Sequence, residues 1–451
     1  MDIGTIFILM MENRSFDHML GYLSLDGHPV EGLRKDRSWR TDVANPFKGN
    51  LYRPFPLTDP FGTMEADPPH SRSSTRTQMG IAVAGKFPMK GFVETYAKAK
   101  GAAPIGPRSK PAAMGYFTGA EAPVTDFLAR NFAVCDHWHA ALPAGTQPNR
   151  LMAMSGFTNI DTNKVPLPRQ ELVYDWLRRH GIRWRVYHAG VPFFAMMLDR
   201  VDDILAGNHF RPFGQLFDDV QNEPPDEFPQ VVFLEPVYAD APHFGASTDD
   251  HAPGGIKGGQ EFLLEVYRSL TRVPDVWKRS VLIVTYDEHG GFFDHVPPPM
   301  IPTEPPPTAT FTERFESLGV RVPALVVSPF VKKGTVCSEV MDHTSILKFI
   351  GETFGPGGLY SPAVAARPVK SVSAALDNPA GRRRSPVVPT LNAYLARAPK
   401  PSGRLPGKKP DTDLEQSFQK ALDEIRKRPG RPPGVYDSLL ASFPPDPAGA
   451  A

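Results

Sequence analysis

Short apolar runs punctuate the chain at Thr5–Met11, 184–187, 231–234, 281–286 and Ala324–Val327. They are rich in β-branched and aromatic residues and show no apolar–polar alternation. That pattern predicts strands buried on both faces, which a mostly parallel sheet covered by helices requires. Between them apolar residues recur at helical spacing. Over 261–270, Phe262, Leu263, Val266, Tyr267 and Leu270 share one stripe, and 171–180 and 345–354 repeat the pattern. The expected fold is α/β, a three-layer α/β/α arrangement around a mostly parallel central sheet.

Two connections, 42–91 and 296–312, are long and rich in Pro, Gly and small polar residues, a composition more often functional than idle in a compact domain. After about residue 355 the character changes. Basic, Pro-rich stretches at 382–384, 400–410 and 428–433 surround one helical pattern, Asp413–Lys427, with Leu414, Phe418, Leu422 and Ile425 on one face. The expected division is a main α/β domain at 1–355 and an appendage at 356–451 that docks one helix and is otherwise mobile. No internal repeat is present.

Composition sharpens this picture in three places. The 451 residues carry 50 basic and 49 acidic side chains, and a net charge of +1 argues against a broad nucleic-acid-binding face. The 50 prolines, about twice ordinary usage, exclude a helical bundle. Two cysteines, Cys135 and Cys337, make neither a disulfide framework nor a thiolate zinc site, and each is expected to pack in the core. No run approaches the length of a transmembrane segment. No basic region precedes the apolar residues 6–11, so the chain as it stands reads as cytoplasmic; a trimmed chain would read the same.

In open α/β sheets ligands bind beyond the carboxyl ends of the strands. There the sequence places Glu12 and Asn13 after the first strand, Asp287 and Glu288 after the strand ending at Tyr286, and His188 after Tyr187. Carboxylates and a carboxamide suit a hard or borderline divalent cation. Taken singly, each pair reads equally well as a helix cap or a turn. Thr146, in Gly145-Thr146-Gln147-Pro148-Asn149-Arg150, opens a helical pattern. Its hydroxyl reads either as a plain N-cap or as a nucleophile activated beside a cation. His70, His251 and His343 stand in acidic loops, as surface residues or as donors to phosphate oxygens.

These segments carry a resemblance. Glu12–His18 (ENRSFDH), Gly145–Arg150 (GTQPNR), Thr285–Pro299 (TYDEHGGFFDHVPPP) and Asp342–Phe349 (DHTSILKF) resemble, in order, the phosphoesterase family of bacterial phospholipases C, plant non-specific phospholipases C and the related acid phosphatase A. The resemblance runs from the first strand to about residue 355. It implies a sheet similar to that of the alkaline phosphatase superfamily and one divalent cation. Calcium, magnesium, manganese and iron all fit the oxygen donors, zinc less comfortably. Carried over residue by residue, it implies Glu12, Asn13, Thr146, Asp287 and Glu288 as metal ligands and Thr146 as the nucleophile. His70, His188 and His251 become the phosphate-binding and catalytic histidines. His343 lies within a matching motif with no role attached. Here the tail is short, and the segment 78–86 lacks the Asn-Gly-Gly expected of phospholipase-like members.

The expected function is metal-dependent hydrolysis of phosphate esters of phospholipase C type, phospholipid headgroup diesters first, through a covalent phosphothreonine. The other readings are a phosphomonoesterase, a phosphate-transferring isomerase and a non-catalytic phospholipid binder. The expected partner is a phosphate-ester substrate, with no nucleic acid and no membrane span. Headgroup preference and oligomeric state are left open.

Overall fold

A computed structural model describes residues 1–206, 209–242, 245–382, 384–398, 400 and 410–428. An eight-stranded sheet forms the centre, from β1 (Thr5–Met11), β2 (Ala133–Cys135), β3 (Trp184–His188), β4 (Phe210–Pro212), β5 (Val231–Glu235), β6 (Ser280–Tyr286), β7 (Ala324–Val327) and β8 (Val336–Cys337). Their spatial order is β8-β2-β7-β6-β1-β5-β3-β4. β1 pairs in parallel with β6 on one side, from Thr5↔Ser280 to Met11↔Tyr286, and with β5 on the other. Only β7 runs antiparallel to its neighbours β6 and β2. Every residue of β1, β5 and β6 is buried, as their mostly apolar character requires. The mostly parallel α/β architecture read from the sequence is therefore present, with β2, β4 and β8 as additional strands.

The helices that frame the site are α1 (Arg72–Met79), α2 (Pro123–Asn131), α3 (Thr146–Ser155), α4 (Val173–Arg179), α5 (Lys257–Thr271), α6 (Thr344–Phe354) and α7 (Asp413–Lys427). Side chains alternate across the sheet. Ile8, Met10, Phe233 and Glu235 meet α3, α4 and α6 around a small interior cavity lined also by Arg150, Met154, Tyr174 and Ile346. Met11 lies on the other face, against Gly259 of α5. Three layers result. The connection 42–91, expected to be irregular, holds α1 and a short ribbon pairing Asn45–Phe47 with Asn50–Tyr52.

Beyond residue 355 the chain lies against the same core. Val364, Val372 and Ala375 are buried, and Arg367 bonds Asp342, Thr303 and the Ala141 carbonyl. On α7, Leu414, Phe418, Ala421, Leu422 and Ile425 are buried, at the spacing of one apolar face. Of the basic stretches expected to be mobile, Arg383, 401–409 and 429–451 lie outside the described residues. Cys135 and Cys337 are free, buried and register partners across β2 and β8. Among the described residues no helix is long and apolar enough to cross a membrane.

A buried ionic cluster fastens the loop after β1 to the loop after β6. Asp17 faces His295 (Oδ2–Nδ1 2.7 Å) and Arg321 (Oδ1–Nη2 3.2 Å), and Arg321 Nε donates to Asp294 (3.0 Å). The Asp17 N–H also donates to Asp294 (3.1 Å). Although Asp17, Asp294 and His295 approach as metal ligands do, their charges are already answered within the cluster.

Candidate metal and phosphate site

β1 and β6 are adjacent, parallel and in register to their last residues, so Glu12 and Asp287 emerge side by side. Asp287 Oδ1 accepts from the backbone N–H of Asn13 (3.0 Å) and of Glu288 (2.7 Å), which locks the two strand ends together. Asn13 sits at φ +61°, a conformation asparagine tolerates better than most residues. Gly290 (φ +61°) and Gly291 (φ +71°) make the facing turn. A Cβ on Gly290 would overlap the Asn13 carbonyl, and one on Gly291 would stand 2.7 Å from the Pro69 carbonyl. The two glycines thus let the β6 loop press against both Asn13 and the segment leading to His70. The helix-cap alternative for Glu12 and Asn13 is not realised: the following short helix, Phe16–Met19, is capped by Ser15.

Thr146 is the first residue of α3, and the N-cap is Gly145, without a side-chain cap bond. The hydroxyl therefore does not cap its own helix; it is buried with no hydrogen-bond partner. Its position is fixed by neighbours. Asn149 accepts from the Leu142 N–H and donates to the carbonyls of Leu142, Ala144 and Gly145, tying the approach to the helix. Arg150, one turn beyond Thr146, donates to Glu12 Oε1 (3.0 Å) and lies 3.9 Å from Asp287 Oδ2. Its guanidinium packs over Phe193 and Tyr238, at 4.5 and 5.0 Å.

His70 and His251 meet above this floor. His70 Nδ1 donates to the Pro68 carbonyl (2.8 Å), and its Nε2 lies 3.2 Å from Asn13 Nδ2. The rings of His70 and His251 are 5.9 Å apart. His251 Nδ1 faces Asp240 Oδ2 at 2.9 Å and Glu12 Oε2 at 3.4 Å, and its Nε2 faces Asp67 Oδ2 at 3.6 Å. His188 ends β3 with Nδ1 2.8 Å from the Gly190 carbonyl. His343 points the other way: its Nε2 donates to the Asp287 carbonyl (2.6 Å), and Nδ1 accepts from Trp138 (3.3 Å). It steadies the β6 loop from below.

Burial and charge set the protonation tendencies. Burial pushes Glu12 well above the usual carboxylate range, with Arg150 opposing, and raises Asp287 to about 6. Burial pushes Glu288 up as well, but His70, His289 and the Gly290 N–H outweigh it and hold it low. Burial lowers His188 to about 4. In His70 and His251 burial also pulls down, yet carboxylates win: Glu288 and Asp67 for the first, Asp240 and Asp67 for the second, so both stand above the ordinary imidazole value. The site is short of positive charge.

Whether these residues suit a cation can be tested on their free atoms. Glu12 Oε2, Asn13 Oδ1, Thr146 Oγ1, Asp287 Oδ2 and Glu288 Oε1 are each buried without a hydrogen-bond partner. Buried oxygens left so are rare and costly. Five on the five candidate ligands fit a divalent cation. The carboxylate and imidazole atoms that lie within 4.8 Å of one another here are those of Glu12, Asp249 and His251, and of Asp67, His70 and His251; Asp287 and Glu288 join neither group.

Sequence reasoning passed over Arg150, Asp240, Asp67 and Gln78. Gln78 donates to the Pro69 carbonyl (2.7 Å) and its Oε1 meets His289 Nε2 (2.8 Å), bracing the His70 segment. Arg150 was legible in principle, one helical turn from Thr146. Asp67 stands three residues before His70, but its contact with His251 and that of Gln78 with His289 span long separations that carry no local signal.

Residues 3–356 match the profile of the Phosphoesterase family. The chain is 33% identical over 353 residues to non-specific phospholipase C1 of Arabidopsis thaliana, covering 75% of this chain and 62% of that protein. It is 30% identical over 411 residues to phospholipase C A of Mycobacterium tuberculosis (78% and 73%). Against the crystal structure of a phosphonate monoester hydrolase of Agrobacterium radiobacter it has 10% identity and a TM-score of 0.33, over 58% of this chain and 73% of that one. The chain spans less than two thirds of the length of the plant relative. On the match over most of its length, the chain belongs to the phosphoesterase family.

Proposed function

We propose that the chain is a metal-dependent phosphoesterase of phospholipase C type that works through a covalent phosphothreonine. The observation that carries the reading is the set of five buried oxygens, on Glu12, Asn13, Thr146, Asp287 and Glu288, that make no hydrogen bond. Those residues would hold one divalent cation, which when bound supplies Lewis-acid chemistry, lowering the pKa of a nearby hydroxyl and offsetting phosphate charge. The Thr146 oxygen attacks phosphorus in line with the departing alcohol. His70, His188 and His251 hold the non-bridging oxygens as charge builds on them. His251, raised and backed by Asp240, gives its proton to the leaving oxygen. Water then attacks the same phosphorus, giving a proton back to His251, and the bond to Thr146 Oγ1 breaks to release the phosphorylated headgroup.

The preferred substrate is a phospholipid headgroup diester, following the relatives named phospholipase C. Hydrolysis of p-nitrophenylphosphorylcholine beside p-nitrophenyl phosphate, before and after chelation and with single cations restored, tests it. The expected result is turnover of the choline diester that chelation abolishes and one cation restores. Turnover of the monoester alone would replace the reading with a phosphatase. Thr146→Ala is expected to lose at least about a hundredfold in kcat and still bind the cation by calorimetry. A variant keeping more activity than that removes Thr146 as nucleophile.

A further inference from the structure

The family match stops at residue 356, yet helix α7, Asp413–Lys427, reaches the catalytic apparatus from beyond it. Thr412, its N-cap, accepts from the Glu415 N–H (3.0 Å) and donates to Asp240 Oδ1 (3.1 Å). The other Asp240 oxygen faces His251 Nδ1 at 2.9 Å. Further along the helix, Phe418 stacks on Tyr238 (centroids 5.6 Å, planes 28° apart) and edges Phe193, the two rings that flank Arg150. Ser417 donates to the Lys164 carbonyl (2.8 Å), and the Lys164 N–H donates to Gln147, the residue after Thr146. A single helix face thereby touches the supports of the histidine, the arginine and the nucleophile.

We infer that the C-terminal helix is part of the active site, and that Thr412 is a positioning residue which, through Asp240, fixes His251 for protonation of the leaving group. The inference deepens the hydrolase reading above and rests on it. The chemistry is that of a carboxylate orienting an imidazole: an aspartate held from one side presents a fixed oxygen to Nδ1 and aims Nε2. Without the Thr412 proton, Asp240 is free to turn and the ring loses its bearing. Thr412 has a second, structural duty as helix cap, so the two duties must be separated.

The test uses the full chain and two esters carrying the same phosphoryl group. One has an aryl leaving group, p-nitrophenylphosphorylcholine, which leaves with little help; the other is a short-chain phosphatidylcholine, whose alcohol needs a proton. If only monoesters turn over, p-nitrophenyl phosphate and glycerol phosphate take their places. Thr412→Ala is expected to lower kcat on the alkyl ester about tenfold, part of what general acid catalysis supplies, with KM unchanged and the aryl ester nearly spared. Thr412→Ser should restore both rates. Glu415→Ala, which weakens the cap without touching Asp240, should leave the ratio of the two rates as in the wild type. In an Asp240→Asn background, Thr412→Ala should add nothing further. Equal losses on both esters, a loss reproduced by Glu415→Ala, or no loss would each overturn the inference. A readout independent of turnover is the His251 Nδ1 proton resonance, assigned by its disappearance in His251→Gln. It should be lost in Thr412→Ala and kept in Thr412→Ser. Should the wild type hydrolyse neither pair of esters, the hydrolase reading falls and this resonance alone decides the positioning role.

Discussion

Arg150 shows how one buried side chain can hold two carboxylates at once. It stands between Glu12 and Asp287, two carboxylates that burial pushes toward their neutral forms. Arg150→Met should leave Asp287 without a fixed cationic partner and Glu12 with His251 alone, a loss of about 3–5 kcal/mol when one member of a buried pair is removed. Urea melts in chelator should show that loss, and a divalent cation should recover part of it. An unchanged melt would mean that Arg150 does not hold the carboxylates. The same residues show what the sequence could reveal. Glu12, Asn13, Asp287 and Glu288 were legible because strand ends of one sheet must converge. Asp240 and Thr412 were not, because 172 positions separate them and nothing local marks either.

At the scale of elements, the loop after β6 is held in place by close backbone approach as well as by side chains. Gly290 at φ +61° faces the Asn13 carbonyl with no room for a methyl group. Gly290→Ala should shift Asp287 and Glu288 away from Asn13, and a displacement near 1 Å is enough to cost about a hundredfold in kcat. Steady-state kinetics beside a circular dichroism melt would check this; near-normal turnover would show that the site does not depend on the approach. The strands themselves were legible in proportion to their burial. β1, β5 and β6 are central and covered on both faces, so their composition is one-sided. β2, β4 and β8 have two or three residues, and β4 is an edge strand ending in Pro212, so their pairing comes from tertiary context.

For the whole molecule, the Asp17–His295–Arg321 cluster ties the two site-bearing loops together and gives stability a pH dependence. Burial alone would lower His295, but Asp17 and Glu31 outweigh it and hold it at about 9. A histidine raised in the folded state contributes stability that is fully present below its ordinary value of about 6.5. That contribution is lost as pH rises through the folded value, so stability should fall between about pH 6.5 and 9 by roughly 3 kcal/mol. His295→Asn should flatten that fall in chemical melts across the window. A variant with the wild-type slope would assign the titration elsewhere.

The site has two attachments of unequal strength. Its floor hangs from the β1–β6 ladder, seven residues long and enclosed on both sides by further strands. Its Asp240–His251 corner leans on one surface helix that the chain reaches only after leaving the residues matched by the family. Peripheral elements open at lower free energy than central ladders. On warming, therefore, the proposed hydrolase should stop releasing poor leaving groups while its sheet is still intact, so that heat first makes it selective and only later makes it inactive.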